Sequence, residues 1–581
     1  MKKTKIICTL GPAVDSEKQI EKLIHQGMNI ARLNFSHGSY EEHGQRMAWV
    51  KNARRKCGVS CAIMLDTKGP EIRVGDLPSG KIVLQSGQIV CIGANITKEC
   101  QLSIHPISVI SCIEVGMRLL FNDGSISSIV IEKNANSIKI QVVDGGVLTS
   151  RKGVNIPGAH VGLPALTEND VEDLIYGCKM DVDLIAASFI RSAEHVLSIK
   201  KLLSLHEKAD IPVIAKIENH EGIQNFDSIV QVADGIMVAR GDLGVEMEPS
   251  LVPKLQKMMV RKCFDACKPV TIATQMLESM MQNPRATRAE VSDVANAIYD
   301  GASSIMLSAE TSVGKYPIEA VRLMADIARV SEQDFNNQEF YYLHSRKDFP
   351  NISSAIAVSA VKTAYTSGAK AIFAFTTSGL MVRLISRFMP EMPIITVTAD
   401  EKIYHQLSYY WGVHPIFASF SGWKEGFSIA SSFALEKKLI SFGDLVVVTA
   451  GSHFGCKGST NMMMVESIGS VLVRGEKGFG KTVSGKIKVY VLNNQHTKED
   501  LDDCIIVLAK CDPSYLDLMR SVRGVILENH IDDIDSLHYA IDMAKMYKIP
   551  LIVQAEHAVS TLQEEEMVVL NPAKAIVYKE E

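Results

Sequence analysis

The chain has 581 residues, too many for one hydrophobic core, so three or four domains are expected. At 46% hydrophobic and 22% charged residues it is ordinary globular material, and a net charge of −5 argues against a nucleic-acid or polyanion binder. No apolar stretch reaches the roughly eighteen residues that cross a bilayer, so no membrane partner is expected.

The opening residues MKKTKIICTLGPAV carry lysines and an apolar run. The run is short, is broken by Gly-Pro and lacks a small-residue cleavage pattern, so it does not read as a signal peptide. Short apolar runs then recur: TKIICTL (4–10), NIARLNF (29–35), CAIMLD (61–66), DLIAASF (183–189), PVIAKIE (212–218), GIMVAR (235–240), PVTIAT (269–274) and SIMLSAE (304–310). Helical stretches such as SEKQIEKLIHQG separate most of them. Eight strands alternating with helices predict an α/β fold, a (β/α)8 TIM barrel over residues 1–69 and 164–340. The gap after the third strand holds β-like pieces with turn signals, KIVLQSGQIVCIG, FNDGSISSIVIE and SIKIQVVDGG. Residues 70–163 are therefore expected to form an inserted all-β lid, a small β-barrel in the third β/α loop. Twelve cysteines are scattered without a CxxC pair. Cys57/Cys61 and Cys263/Cys267 stand at helical spacing and read as packing residues, and the usage fits a reducing cytoplasm.

The strand ends carry the chemistry. Side chains alternate faces along a strand, so Lys216 and Glu218 in AKIENHE point the same way at the end of an apolar run. Arg32, Asn34 and Ser36 share a face at the end of the second run, and Asp66-Thr67 end the third. Arg-Gly-Asp (240–242), Thr274 and Ser308 end the last three. A surface ion pair would explain one such end; the set predicts a polar site at the C-terminal mouth of the barrel. Glu218 and Asp242 are hard oxygen ligands suited to Mg²⁺ or Mn²⁺. Asn34, Ser36, Asp66 and Thr67 mix neutral oxygens with one carboxylate, which suits K⁺. Arg32 and Arg73 suit phosphate, Lys216 suits charge developing on an oxygen, and GDLG (241–244) is read as a helix start facing an anion. The chemistry is either phosphoryl transfer or enolate chemistry on an anionic, metal-bridged substrate.

TKIICTLGP, NIARLNFSHG, LDTKGPEIR, KIENHEG, MVARGDLGVE, ATQMLESM and TRAEVSDVANAI resemble the pyruvate kinases, in register over residues 4–320 and more loosely to about 473. The resemblance implies transfer of the phosphoryl group of phosphoenolpyruvate to ADP, giving pyruvate and ATP. It implies that Glu218 and Asp242 hold the divalent metal and that Lys216 stabilises the phosphoryl group in flight and the enolate. Arg32 would contact the phosphoryl group; Gly241, Asp242 and Thr274 would fix the substrate. Asn34, Ser36, Asp66 and Thr67 would bind K⁺. Arg73 and Lys152, with Asn34 and His37 beside them, would meet the nucleotide. Thr274 and Ser308 would lie near the protonation face, with the proton donor unassigned. Glu71 resembles the K⁺-dependent branch. Ala309 stands where many members have glycine.

Residues 341–473 alternate again and predict an α/β regulatory domain. By resemblance, Thr376, Thr377, Ser378 and Gly379 would bind the phosphate of an allosteric effector; plain helix capping is the bland alternative. Leu380-Met381 depart from the family pattern, and the second effector loop, 451–461, lacks the Arg and Trp of some members. RGEKGFGKTVSGK (474–486) reads as a Gly/Lys-rich linker. Residues 487–581 resemble the swivelling phosphohistidine domain of phosphoenolpyruvate-utilising enzymes. His538 is one residue out of register with that family's histidine and reads as a solvated helix residue. The resemblance also implies a homotetramer. A dikinase or synthase would need an ATP-grasp domain that is not visible. A metal-dependent enolate lyase fits poorly with the K⁺-type residues, and a silent sensor fits poorly with intact Lys216, Glu218 and Asp242.

Overall fold

The computed structural model of the chain describes residues 2–97, 99–345, 351–451, 460–490, 501 and 503–579. Two compact units are present: Met1–Val361 with Ala374–Trp423 and Ala450–Asn461, and Lys362–Phe373 with Lys424–Thr449 and Met462–Glu581.

In the first unit the eight expected runs are the strands β1 (Lys5–Thr9), β2 (Ile30–Asn34), β3 (Ala62–Asp66), β4 (Leu184–Ala187), β5 (Val213–Ile217), β6 (Gly235–Ala239), β7 (Val270–Ala273) and β8 (Ser304–Leu307). They close in sequential order, all parallel, with Lys5 opposite Ser304 and Ile30 opposite Ala62. β1, β3, β4, β5, β6, β7 and β8 are buried along their whole length, because helices cover the outside and side chains fill the inside. The helices between them are capped locally. Ser16 accepts from the Gln19 N–H ahead of Glu17–Gln26, and Ser39 and Glu42 form a reciprocal box ahead of Tyr40–Cys57.

The barrel interior is packed by Ile7, Ile30, Met64, Ile214, Met237, Met306 and their neighbours, and one member of this cluster comes from outside the barrel strands. Tyr409 is 1% exposed and sets its hydroxyl 3.1 Å from Thr271 Oγ1, which in turn lies 2.7 Å from Ser304 Oγ. Tyr409 thus plugs the floor, the end where the strands begin. Its segment continues through Val413–Phe417, a strand paired parallel with Ile394–Thr398.

The insert after β3 is all-β, with a core of Val90, Ile92, Ile104, Leu119, Phe121, Ile138 and Ile140 among others. It forms a seven-stranded and a two-stranded sheet instead of a fully bonded barrel. The two edges of the larger sheet, Arg73–Val74 and Val154–Asn155, meet at one bridge between Arg73 and Gly153. Short edge strands leave only that rung to join them. A disulfide joins Cys91 to Cys100 within this insert, a pair the sequence reading did not single out.

In the second unit, residues 470–579 build an eight-stranded mixed sheet. Residues 474–486, expected as a linker, belong to it. Lys477–Phe479 pairs antiparallel with Leu551–Val553, and Val483–Tyr490 pairs with Cys504–Leu508 and Met567–Asn571. The glycines in that stretch serve close approach, not flexibility: a Cβ on Gly478 would sit 2.1 Å from the Pro572 carbonyl oxygen. Among the described residues no helix is long and apolar enough to cross a membrane.

Candidate active site

Parallel strands deliver their C-terminal ends to one mouth, and the polar residues expected there form a connected network. Arg32, 7% exposed at the end of β2, donates from Nε to Asp66 Oδ2 at 2.6 Å and from Nη1 to Thr9 Oγ1 at 2.8 Å. Asp66, fully buried at the end of β3, also accepts from Lys216 Nζ at 2.9 Å on Oδ1. Burial alone would raise the Asp66 carboxyl, but Arg32 and Lys216 hold it below the usual carboxylate range.

Lys216 ends β5 and carries three contacts: Asp66, Ser188 Oγ at 2.7 Å and Glu218 Oε1 at 3.1 Å. Burial would depress its ammonium, yet Asp66 and Glu218 outweigh that and keep it charged. Glu218, 1% exposed, accepts the Phe189 N–H on Oε2 at 2.6 Å. Burial pushes its carboxyl up to about 7; Lys216 opposes the shift and Asp242 reinforces it. Asp242 lies in the first turn of Arg240–Glu246 with a solvent-facing side. The cleft walls raise its carboxyl too, with Glu71 and Asp123 adding and Lys216 opposing. Two carboxylates that both hold their protons too tightly mark a place short of positive charge.

Asn34 and Asp66 are direct neighbours in the β2–β3 register, and Asn34 Oδ1 accepts the Ser36 N–H at 3.2 Å. Thr67 Oγ1 accepts the Ser188 N–H at 3.1 Å. Thr274 and Gln275 follow β7 with φ of 70° and 55°, a strained turn for a β-branched residue. Thr274 Oγ1 accepts the Gly241 N–H at 2.7 Å, so that helix-start N–H, expected to face an anion, is held by the neighbouring strand end instead. The Ser308 N–H donates to Glu310 at 2.7 Å, while its buried Oγ has no hydrogen-bond partner among the described residues.

From the lid side, Arg73 ion-pairs with Glu71 and donates to the Arg151 carbonyl at 2.8 Å. Lys152 is exposed on the strand edge beside it, where its carbonyl accepts the Val74 N–H. Asn155 of the lid donates to Glu246 of the barrel mouth at 2.8 Å. Between lid and mouth lies a cavity of about 90 Å³ whose walls include Glu71, Asp123, Asn155, Arg191, Asp242 and Glu246. His37 is exposed; its N–H donates to the Asn34 carbonyl at 3.2 Å, and its own carbonyl lies 2.8 Å from the His43 ring nitrogen.

Thr376, Thr377, Ser378 and Gly379 lie far along the chain, after the strand Ala371–Phe375; Thr376 Oγ1 accepts the Ser378 and Gly379 N–H groups. Most of the second effector loop, 452–459, lies outside the described residues. His538 is exposed on Ile534–Tyr547.

Three participants escaped the sequence reading. Ser188, just past β4, joins Lys216 to the Thr67 carbonyl, to which it donates at 2.6 Å. Thr9 ends β1 and receives Arg32. Glu310, 2% exposed, accepts from Leu277 and Ser308 and ties the ends of β7 and β8. The strand-end rule would have found Ser188 and Thr9, had β1 and β4 been included.

Comparison with known proteins agrees with this geometry. Residues 1–321 match the family model of the pyruvate kinase barrel domain, 354–466 that of the pyruvate kinase alpha/beta domain, and 501–574 that of the mobile domain of PEP-utilising enzymes. A pyruvate kinase of Geobacillus stearothermophilus is 39% identical over 583 residues, covering 100% of this chain and 99% of the relative. Those of Bacillus licheniformis and Staphylococcus aureus (strain USA300) are each 40% identical, again over 100% of this chain and 99% of the relative. With a barrel match over more than half its length and full-length relatives of this kind, the chain belongs to the pyruvate kinase family.

Proposed function

We propose that the barrel mouth transfers the phosphoryl group of phosphoenolpyruvate to ADP, giving pyruvate and ATP in the last step of glycolysis, through these particular residues. The observation that carries the assignment is the buried chain of contacts Arg32–Asp66–Lys216–Glu218 across the ends of β2, β3 and β5. Glu218 and Asp242 fit a divalent cation, Mg²⁺ or Mn²⁺. They are two raised carboxylates, and among the described residues no third His, Cys, Asp or Glu completes a protein-only cage, which leaves coordination to substrate oxygens. Asn34, Ser36, Asp66 and Thr67 fit K⁺, with one carboxylate among neutral oxygens. When bound, the two cations supply charge against the phosphoryl and carboxylate oxygens of the substrate.

The side chains do the rest. Lys216, preorganised by Asp66 and Ser188, presents its ammonium to the phosphoryl group in flight and then to the enolate oxygen. Arg32 grips the phosphoryl group with its free guanidinium edge. Gly241, Asp242 and Thr274 fix the substrate, and Thr274 and Ser308 stand on the face where the enolate is protonated. Arg73 and Lys152 of the lid, with Asn34 and His37 of the barrel, take the nucleotide, and lid and barrel meet over the cavity between them. Glu71 supplies the charge of the K⁺-dependent branch. A phosphorylated effector at Thr376–Gly379, a homotetramer and a cytoplasmic setting complete the reading.

The test is formation of pyruvate and ATP from phosphoenolpyruvate and ADP with Mg²⁺, with and without K⁺. One-to-one formation, faster with K⁺, supports the assignment. Absence of turnover in both salts overturns it.

A further inference from the structure

The turn that follows β4 serves two parts of the molecule at once. On one side it grips the barrel mouth: Ser188 Oγ accepts from Lys216 Nζ at 2.7 Å, and the Phe189 N–H donates to Glu218 Oε2 at 2.6 Å. Phe189 makes that contact with φ of 53°, in the left-handed region that a bulky residue occupies only when its surroundings hold it there. On the other side the turn meets Gly69 and Pro70, where the chain leaves the barrel for the lid. Gly69, with φ of 75°, packs so closely that a Cβ would lie 2.8 Å from Phe189 Cδ2 and 2.9 Å from Ser188 Cβ. Arg191 Nη2 donates to the Pro70 carbonyl at 3.3 Å. The far end of the turn is fixed as well, since Asn225 Nδ2 donates to the Arg191 carbonyl at 2.8 Å.

Arg191 is 7% exposed and lines the cavity between lid and mouth, yet its buried Nη1 has no hydrogen-bond partner among the described residues. The negative charges of Glu221, Glu246 and Glu218 act on its guanidinium. Glu246 in turn accepts from Asn155, in the last strand of the lid. One guanidinium therefore faces both connections of the lid. It holds the outgoing one by a contact at the long end of the hydrogen-bond range and keeps a second arm idle. A buried donor in that state costs free energy, so an arrangement that engages it is favoured.

We propose that Arg191 is a positioning residue for the phosphoryl transfer: it latches the lid to the turn after β4, and the latched turn holds Glu218 where the divalent cation needs it. The proposal rests on the reading of Glu218 as a ligand of that cation. Close packing carries the effect, because a shift of Gly69 is not absorbed between Ser188 and Phe189 and moves the Phe189 N–H instead. The idle Nη1 gives the fork a second arm to use as the lid closes, so lid closure and cation binding favour one another.

The experiment measures Mn²⁺ binding to the full chain without substrate, by the paramagnetic resonance signal of the free ion, together with turnover. Glu218→Gln identifies the site. By charge alone, removing a cation beside an acidic site tightens metal binding. Arg191→Gln is expected to do the opposite, weakening Mn²⁺ binding roughly tenfold, with a fall in kcat of similar size. Arg191→Lys, which keeps the charge and loses the fork, is expected to fall between the unmodified chain and Arg191→Gln, and serves alone if the glutamine variant does not fold. Mn²⁺ binding that Glu218→Gln leaves intact would overturn the metal reading, and this proposal with it. Binding weakened by Glu218→Gln but unchanged or tighter in the Arg191 variants would overturn the proposal and leave the metal reading standing.

Discussion

Lys216 is the residue on which the proposed chemistry turns, and its surroundings explain why it can stay charged while 8% exposed. Two carboxylates and a hydroxyl hold the ammonium at fixed distances, so no solvent reorganisation is needed when negative charge develops in front of it. Lys216→Met removes that charge and leaves Asp66 its Arg32 partner. Turnover of phosphoenolpyruvate is expected to fall by on the order of 10²–10³-fold or more, with an unchanged far-ultraviolet dichroism spectrum. Full activity in that variant would remove Lys216 from the mechanism. At Glu71, the neighbour of Arg73 on the lid side, Glu71→Lys places a fixed ammonium where the K⁺-dependent branch carries a carboxylate. The ratio of rates with and without K⁺ is expected to drop toward one, and an unchanged ratio counts against the role.

Single elements carry constraints that composition hides. The strand Lys477–Phe479 runs so close to Pro572 that any Cβ at Gly478 meets backbone, not a flexible side chain. Gly478→Ala is expected to cost about 1–3 kcal/mol of stability in the C-terminal sheet. Gly422→Ala, where nothing lies within 4 Å and φ is ordinary, is expected to be neutral in the same melting experiment. The helix Glu401–Gln406 holds His405, 4% exposed, whose Nδ1 accepts the Cys61 N–H at 3.4 Å. Burial, then Arg54 and the other nearby cations, push its imidazole down to about 3 from the ordinary 6.5. The unfolded chain therefore takes up a proton between those two values that the folded chain refuses. The stability it contributes is full above pH 6.5 and is lost as the pH falls from there toward 3. Acidifying from neutral to about pH 5.5 is expected to cost on the order of 1 kcal/mol through this group. His405→Asn, which keeps an acceptor and cannot ionise, is expected to flatten the fall in melting temperature over that interval.

For the whole molecule, what could be read in advance was what is local in sequence. The β/α alternation, and the polar ends of six strands, follow from period-two patterning and from short apolar runs between helices, so the barrel and most of its mouth were visible. Ser188 and Glu310 were not. Ser188 would have emerged had the end of β4 been compared with the other strand ends, whereas a lone glutamate after a strand carries no signal until the barrel brings it beside Ser308. The Gly/Lys-rich stretch 474–486 misled because glycine marks flexibility and close packing alike, and only the approach of Pro572 separates the two. Least visible of all was Tyr409, about a hundred residues beyond the last barrel strand, whose ring completes the barrel interior. Tyr409→Ala is expected to lower the melting temperature by the equivalent of about 3–5 kcal/mol, since it opens a cavity beneath Met237 and Met306. That plug also sets an order of assembly. A ribosome that has passed Ser308 has made all eight strands and every proposed catalytic side chain, yet the cylinder still lacks its base. The barrel's interior is complete only once residue 409 has emerged, so its final packing waits during synthesis on a segment about a hundred residues downstream of the last strand.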